Sequence, residues 1–380
     1  MTLKIARRGM IDPFIVMDVM REANQLSENT KIVHLEVGQP STPAPAKVIE
    51  AAKKLLDKDR LGYTDSLGLL QLRKRISKYY GEFYGVSVPL ERMVITTGSS
   101  GAFLLAFASA FDPGDRVALT VPGYPAYRNI LIALGIEPVI IETSVKERFQ
   151  PTIKLLEDVG NIDGLIIASP SNPTGSMIDS ERLRVLVEWC DENSVRMISD
   201  EIYHGINYVS PPTTVAKFSK SAIIINSFSK YFSMTGWRLG WMVTPQELIR
   251  PIECLAQNLF ISPPTLSQYA AIASFNCINE LERNVDNYRT NREILLEELP
   301  KLGFKKIAPV DGAFYIYVDV SNFTSDSTSF CQRMLQEANV AATPGVDFDP
   351  LNGKYFIRFS FAGAESDIRE ACKRLSAWSY

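Results

Sequence analysis

The sequence predicts an α/β fold: a mostly parallel seven-stranded sheet with helices on both faces, accompanied by a smaller α+β domain. Between about residue 93 and residue 243, short runs rich in β-branched residues alternate with helical patterns. Most of these runs are apolar throughout, which is typical of strands that helices cover on both faces. The chain of 380 residues also exceeds the ~250–300 residues at which a single core usually divides.

Each predicted strand is a short apolar run followed by a turn or helical pattern. In chain order the seven are Met93–Thr97, Arg116–Val121, Pro138–Glu142, Gly164–Ser169, Arg196–Asp200, Ala222–Ser227 and Leu239–Val243. The longest apolar run, Ala102–Phe111, is shorter than the ~20 residues of a membrane-spanning helix and therefore predicts a buried helix.

The pattern changes after Pro263 and Pro264, where a long helical stretch runs to Leu302 and a further strand, Gly312–Val318, follows. The N-terminal segment up to about Pro45 is rich in proline and loop signals, and we expect it to pack on this second lobe. The predicted domain ranges are 46–275 for the large domain and 1–45 with 276–380 for the small domain.

Composition narrows the class of partner. The formal net charge is −3 and Lys and Arg are spread along the chain, so the sequence offers no basic tract to nucleic acid or to an anionic membrane. The cysteines are Cys190, Cys254, Cys277, Cys331 and Cys372. Without a C-x-x-C pair they argue against a disulfide framework and a zinc site, and they predict reduced thiols in a cytoplasmic protein. We expect a small-molecule partner.

Polar, chemically capable residues follow several of the predicted strands directly. They are Gly98, Ser99, Tyr124, Asn172, Asp200, Tyr203 and Lys230. In open α/β sheets the ligand crevice lies beyond the carboxyl ends of the strands, so residues that are distant in sequence converge there. The sequence therefore predicts one ligand site at this edge of the sheet.

The most telling stretch is Ser227-Phe228-Ser229-Lys230, which closes an apolar run and precedes Arg238. A lysine, two hydroxyls and an arginine supply the chemistry that holds a phosphorylated carbonyl compound, pyridoxal 5'-phosphate, while an amine bonds to it covalently. Taken alone, a lysine after a strand is more often a solvated surface group. An ordinary lysine with a pKa of ~10.4 is a poor base at neutral pH. Bonding as an imine near a cation removes that barrier, and the amine freed later can carry a proton.

Asp200 ends an apolar run, where an unpaired carboxylate is costly and needs a cation or a hydrogen-bond donor. The pyridine nitrogen of the cofactor is such a partner, because a ring kept protonated by a carboxylate acts as an electron sink. The alternative interpretation is a helix N-cap after a strand, with Glu201 facing solvent.

The segment Thr96–Ala102 ends a strand and opens the apolar helix, so it gathers free backbone N–H groups and hydroxyls at one point. The predicted phosphate ligands here and near Lys230 are Ser99, Ser100, Gly101, Ser227, Ser229 and Arg238. A plain N-cap serine is the alternative interpretation of this segment.

Three further positions fit the same ligand. Asn172, in the turn Ser169–Gly175, and the Tyr203 hydroxyl are able to donate to a phenolic oxygen, although such turns are also common as simple connections. Tyr124 follows a strand and is suited either to stacking on a planar ring or to core packing. Arg358 lies on an apolar strand and needs an anion, either a substrate α-carboxylate or a structural salt-bridge partner.

Taken together, these motifs resemble the class I and II aminotransferases, the fold-type I pyridoxal-phosphate enzymes related to aspartate aminotransferase, over nearly the whole chain. The resemblance implies a homodimer with two shared active sites. It adds Gly38, where the family closes over the substrate carboxylate, and Tyr63, which resembles the tyrosine that reaches the phosphate of the neighbouring subunit's cofactor. Gly101 and Asp349 depart from residues common in the family, which leaves the subfamily open.

The resemblance also implies a role for each site residue. Lys230 is the Schiff-base lysine and Asp200 the pyridine partner, and with Tyr203 they form the catalytic set. The implied cofactor-binding residues are Ser99, Ser100, Gly101, Tyr124, Asn172, Asp200, Tyr203, Ser227, Lys230, Arg238 and Tyr63. The implied substrate-binding residues are Gly38, Asn172 and Arg358.

We therefore expect a pyridoxal-phosphate-dependent aminotransferase that moves an amino group between an L-amino acid and a 2-oxo acid by a ping-pong mechanism. A β-elimination lyase or a decarboxylase of the same fold stays open, because the cofactor permits these reactions too. A non-catalytic regulator that binds pyridoxal phosphate is a second alternative. The sequence shows no alignable second arginine for a distal carboxylate, so the substrate is undetermined.

Overall fold

The structure is a computed structural model that describes residues 3–28, 30–58 and 60–379. The predicted domain ranges also include Met1, Thr2, Asn29, Asp59 and Tyr380, which lie outside the described residues. The division of the chain at residues 45 and 275 stays a prediction.

The strands of the described residues are short and mostly buried. They are β1 (Val33–His34), β2 (Met93–Thr96), β3 (Arg116–Val121), β4 (Glu137–Glu142), β5 (Gly164–Ala168), β6 (Arg196–Asp200), β7 (Ile223–Ser227), β8 (Gly240–Val243), β9 (Tyr315–Asp319), β10 (Val340–Ala341), β11 (Thr343–Pro344) and β12 (Phe356–Ser360).

The α-helices separate many of these strands, but in the described residues none lies between β6 and β7 or between β7 and β8. They are α1 (Ile15–Leu26), α2 (Ala46–Leu56), α3 (Leu70–Tyr79), α4 (Gly98–Ala110), α5 (Pro125–Leu134), α6 (Ile153–Asp158), α7 (Ser180–Glu192), α8 (Ile249–Leu259), α9 (Thr265–Ser274), α10 (Ile278–Lys301), α11 (Ser327–Ala338) and α12 (Glu365–Ala377).

Within the described residues, a seven-stranded sheet has the order β2-β8-β7-β6-β5-β3-β4. Strand β8 runs antiparallel to β2 and β7, and the other neighbouring pairs are parallel. The central strands β6, β7 and β8 are almost entirely buried because helices cover both faces of the sheet. The predicted α/β fold with a mostly parallel seven-stranded sheet is confirmed.

Helix α4 shows why the apolar run near residue 102 is buried rather than amphipathic. Its buried residues cover most of its circumference and include Phe103, Leu105 and Phe107. It packs against β7 and β8 of the sheet and against α5 and α8. Its partly exposed stripe is narrow and runs through Ser100, Leu104 and Ala108, so packing fixes the helix with its N-terminus at the edge where β2 and β7 end.

Two small sheets contain the strands of the C-terminal third of the chain. Strands β11, β12 and β9 form an antiparallel sheet in that order, in which Arg358 lies opposite Thr343 and Tyr317. Strand β1 pairs in parallel with β10, so the N-terminal segment packs on the C-terminal part of the chain. No helix of the described residues has both the length and the apolar character needed to cross a bilayer.

Candidate active site

One cavity of about 560 Å³ opens at the carboxyl ends of β5, β6 and β7. Residues following these strands line it, namely Asn172, Asp200, Tyr203 and Lys230. The start of α4 contributes Ser99 and Ser100, and the loop before α5 contributes Tyr124. Arg238 lines one side, and Gly38 and Arg358 approach from the N-terminal and C-terminal segments. With Ser229, which also lines it, the cavity brings eleven of the predicted residues together.

Lys230 lies in the loop after β7, partly buried, with its ammonium group in the cavity. Nζ donates a hydrogen bond of 2.8 Å to the backbone oxygen of Gly38. Burial, together with the positive charges of Arg358 and Arg238, lowers the pKa of the Lys230 ammonium to about 8, and Asp200 opposes this effect. The amine is thus close to the protonation state in which it acts as a base or a nucleophile at neutral pH.

Asp200 ends β6 and is buried. Its Oδ2 accepts a short hydrogen bond from the Tyr127 hydroxyl, and its Oδ1 accepts one of 3.1 Å from the backbone N–H of Ile202. Burial raises the pKa of the Asp200 carboxyl to about 6, and these two donors and the Lys230 charge limit the rise. The sequence required a partner for this carboxylate, and Tyr127 is one that sequence analysis missed.

Glu201 corrects an expectation. The N-cap interpretation of Asp200 placed Glu201 in solvent, but its side chain, directly after β6, is buried. Oε1 accepts hydrogen bonds from the Val215 N–H at 2.8 Å and from the Thr214 hydroxyl at 3.1 Å. Burial raises the pKa of the Glu201 carboxyl to about 8. The two neighbouring carboxylates thus have different hydrogen-bond partners, and of the two only Asp200 lines the cavity.

The N-terminus of α4 and Arg238 form the anion-binding end of the cavity. A Cβ at Gly98, whose φ is +73°, would stand 2.7 Å from Nη2 of Arg238, so the guanidinium lies directly against the first turn of the helix. Ser99, Ser100 and Ser229 line the cavity at this end. Positive charge, hydroxyls and free N–H groups at a helix start are the donor set that binds phosphate.

Three predicted residues are not among the described residues that line the cavity. The Ser227 hydroxyl lies beneath it, 3.0 Å from the Ser229 hydroxyl and 3.2 Å from the Leu239 oxygen. Gly101 is buried in α4, where a Cβ would stand 2.4 Å from Oγ1 of Thr97. Tyr63 is 82% exposed on the surface. Of the two serines predicted as phosphate ligands beside Lys230, Ser229 lines the cavity and Ser227 does not.

Arg358 is buried and makes contact with three separate parts of the chain. Nη1 donates 2.8 Å to Oδ1 of Asn172, and Nη2 donates to the backbone oxygen of Glu36 and, at 3.2 Å, to Oγ1 of Thr343. Its guanidinium carbon lies 4.4 Å from the ring centre of Tyr315. Its Nε is buried and has no hydrogen-bond partner among the described residues. A buried cation without a carboxylate partner and with an unused donor is suited to an incoming anion.

Tyr203 and Tyr315 form a buried pair of hydroxyls 2.7 Å apart at the cavity. A Cβ at Gly38 would stand 1.7 Å from the Tyr315 hydroxyl, so a side chain at position 38 would displace Tyr315. Tyr315 is a second cavity residue that sequence analysis missed. Because Tyr315 lies in the apolar run 312–318, the sequence predicted only that it packs in the core.

The remaining side of the cavity is an apolar wall that consists of Phe14, Val16, Met17 and Met20. These residues belong to α1 and the residue preceding it, and sequence analysis assigned them no role in the site. The Phe14 ring packs edge-on against Tyr124, with ring centres 5.6 Å apart. The site thus has two parts. The polar floor consists of residues that end or follow strands, namely Asn172, Asp200, Tyr203 and Lys230, and the apolar wall consists of the Phe14 and α1 side chains.

Comparison with known proteins agrees with this geometry. The family described as "Aminotransferase class I and II" matches residues 30–375. The valine–pyruvate aminotransferase of Mycobacterium tuberculosis is 47% identical over 100% of this chain and 99% of its own length. The crystal structure of an aminotransferase from the same organism superposes with a TM-score of 0.97 at 47% identity, covering 99% of both chains.

A more distant structure has the same architecture. The aspartate aminotransferase of Thermus thermophilus, solved with maleate, is 29% identical and superposes with a TM-score of 0.94 over 99% of this chain and 100% of its own. The chain belongs to the class I and II aminotransferase family, as its motifs predicted. Members of this family transfer amino groups and generally depend on pyridoxal phosphate.

Proposed function

We propose that this protein is a pyridoxal-phosphate-dependent aminotransferase that exchanges an amino group between an L-amino acid and a 2-oxo acid in two half-reactions. The observation that carries the proposal is the meeting of Lys230, Asp200 and Arg358 with an anion-binding helix start in one cavity. A nucleophilic amine, a buried carboxylate, a buried guanidinium and a phosphate site are the groups that this chemistry requires.

The donor set of the cavity fits the cofactor. The hydroxyls of Ser99, Ser100 and Ser229, the Arg238 guanidinium and the start of α4 would hold the phosphate. Asp200 would face the pyridine nitrogen, Asn172 and Tyr203 the phenolic oxygen, and Tyr124 a ring face. When bound, pyridoxal phosphate supplies an electron sink for the charge left when an amino acid loses its α-proton.

Lys230 is proposed to accept and return the α-proton of the amino acid. Its pKa, lowered to about 8, makes an uncharged amine accessible near neutral pH without the cost of deprotonating an ordinary lysine. The hydrogen bond to the Gly38 oxygen holds Nζ against the N-terminal segment of the chain. Arg358 is within the same cavity, so a carboxylate bound there would orient the amino acid toward this amine.

Arg358 is proposed to bind the α-carboxylate of the substrate. Its fork already contacts Asn172 and Thr343, which keep it in place, and its Nε remains available. A planar guanidinium binds a carboxylate through two parallel hydrogen bonds, which a lysine at the same position does not do.

The dimeric state stays part of the proposal. Tyr63 is 82% exposed, and a second depression of about 570 Å³ lies beside Arg238, next to the anion-binding end of the cavity. In the proposed dimer this opening would receive Tyr63 of the partner subunit, which would complete the phosphate site. Sedimentation equilibrium should then give a mass of two chains, and Tyr63→Phe should weaken cofactor retention without dissociating the dimer. A cytoplasmic location remains a prediction from the scattered free cysteines.

The proposed function is tested with purified protein in two steps. Addition of pyridoxal phosphate, borohydride reduction and peptide mass mapping should place a pyridoxyl group on Lys230. Amino donors, with valine included because of the relative named above, are then paired with pyruvate, 2-oxoglutarate and oxaloacetate. Parallel double-reciprocal plots and formation of a new amino acid without ammonia support the proposal. Steady ammonia or CO₂ release indicates a lyase or a decarboxylase, and lack of turnover with a labelled Lys230 indicates a binding protein.

A further inference from the structure

The apolar wall is held in place by a residue that belongs neither to the cavity floor nor to α1. The first turn of α1 has backbone N–H groups without helical partners, and the Phe14 side chain makes no capping hydrogen bond. Asp347 provides the cap from the other end of the chain. Its Oδ1 accepts from the Ile15 N–H at 3.1 Å and its Oδ2 from the Val16 N–H at 3.2 Å.

Asp347 is itself firmly placed. It is 2% exposed and lies in the turn Gly345–Asp347 directly after β11. Strand β11 pairs with β12, the strand that carries Arg358. A carboxylate at a helix N-terminus stabilises the helix through hydrogen bonds and through the helix dipole. The same segment therefore positions the guanidinium and, through Asp347, the helix that supplies the apolar wall.

The chemistry of the wall indicates which substrates fit. Among the described residues that line the cavity, the cations are Lys230, Arg238 and Arg358. Each has a position in the proposed function, at the reacting carbon, the phosphate and the α-carboxylate. The side of the cavity that α1 supplies is apolar, so an acidic side chain would lose its hydration there without gaining a cation.

We propose that Asp347 is a positioning residue that fixes the start of α1, and that the apolar wall held in this way selects amino acids with apolar side chains. This inference rests on the proposed function for the identity of the substrate as an amino acid. Removal of the cap should leave the floor intact and let the wall shift. The loss should therefore be larger for donors that fill the wall side of the cavity, such as leucine and valine, than for alanine.

The test compares Asp347→Ala and Asp347→Asn with the wild type and with Asp179→Ala, all as full-length, cofactor-loaded protein. Asp179 is an exposed N-cap that accepts from the Arg182 N–H at 2.9 Å at the start of α7, a helix that does not line the cavity in the described residues. The wild type should prefer leucine to glutamate. The ratio of kcat/KM for leucine to that for alanine should fall about tenfold in Asp347→Ala and about threefold in Asp347→Asn, and it should not change in Asp179→Ala.

Hydrogen–deuterium exchange gives a readout that does not depend on activity. Residues 15–26 should exchange faster in Asp347→Ala, whereas Asp179→Ala should affect 180–192 only. An unchanged leucine to alanine ratio in folded Asp347→Ala overturns the proposal, as does a wild-type preference for glutamate. If Asp347→Ala does not fold, an unchanged ratio in Asp347→Asn has the same meaning. If no donor is turned over by the wild type, the proposed function fails, and the exchange result still decides whether Asp347 holds α1.

Discussion

The floor and the apolar wall of the cavity are built on different principles. The floor consists of buried polar groups at strand ends, and its side chains are held by hydrogen bonds, as Asp200 is by Tyr127 and Ile202. The wall consists of apolar side chains on α1, which is partly exposed and precedes the residues 30–375 that match the family. The family match therefore describes the region that performs the chemistry and does not extend to the wall, where we place substrate selection.

The physical reason lies in the cost of burial. A buried charge without a partner costs several kcal/mol, so each group of the floor must have its partner and tolerates little change. Exchange of one apolar side chain for another at a cavity wall costs about 1–3 kcal/mol at most. Substitutions in the two regions should therefore differ in size and in kind: floor variants should lose rate with every substrate, and wall variants should lose selectivity.

The largest effect is expected at Lys230. Lys230→Ala should lower the transamination rate by roughly 10⁴-fold with all donors, because the group that moves the proton is removed. Steady-state assays measure this, with Lys220→Ala at an exposed lysine as the control, which should behave as wild type. A Lys230→Ala enzyme that keeps more than about a tenth of its rate would show that another residue moves the proton.

Arg358→Lys should have the next largest effect, a fall of about 100-fold in kcat/KM, equivalent to about 2.7 kcal/mol, because the planar fork is replaced by a point charge. The fall should be much smaller for amines that lack the carboxylate. Arg333 forms an exposed ion pair with Glu337, so Arg333→Lys is the matched control. It should change kcat/KM neither for amino acids nor for amines that lack the carboxylate. Equal losses for amino acids and plain amines would contradict the assignment of Arg358 to the carboxylate.

Tyr127→Phe should reduce kcat/KM about tenfold at low pH and less at high pH. The Tyr127 hydroxyl stabilises the ionised carboxylate of Asp200, whose pKa is about 6, so its loss raises this pKa further. The acid limb of the pH–rate profile should therefore move to higher pH. Tyr317→Phe is the control, since the Tyr317 hydroxyl is buried without a hydrogen-bond partner among the described residues. An unmoved acid limb in Tyr127→Phe would mean that Asp200 does not set it.

The smallest effect is expected in the wall. Met20→Ala should lower kcat/KM for leucine by about three- to tenfold and leave the value for alanine unchanged, because a few methylene contacts are lost without any loss of charge stabilisation. The comparison is Met10→Ala, at a methionine that is 73% exposed. Equal losses for both donors in Met20→Ala would remove the distinction between floor and wall.

The same distinction explains what could be predicted from the sequence. Asp200, Asn172 and Lys230 are polar residues that follow apolar strands, and the geometry of parallel sheets gathers such positions at one edge. The sheet itself followed from uninterrupted apolar runs. Both patterns lie within short segments, so they can be recognised in a single sequence.

What sequence analysis missed depends on contacts between distant segments. Tyr127 and Tyr315 lie within apolar patterns and give the same signal as core tyrosines. The sequence predicted that Glu201 is exposed. In the structure it is buried and accepts hydrogen bonds from Thr214 and Val215. The cap of α1 joins residues more than 330 positions apart, and no pattern within either segment indicates the other.

The three contacts of Arg358 also bear on how the protein matures. Glu36, Asn172 and Thr343 come from the beginning, the middle and the end of the chain, and one guanidinium joins them. Contacts of such high sequence separation form only after most of the loop-closure entropy has been overcome. A fragment or nascent chain that lacks one of these segments cannot form the complete set of Arg358 hydrogen bonds. The Arg358 site, unlike the phosphate-binding end at α4, therefore forms late, because it needs segments from the beginning, the middle and the end of the chain.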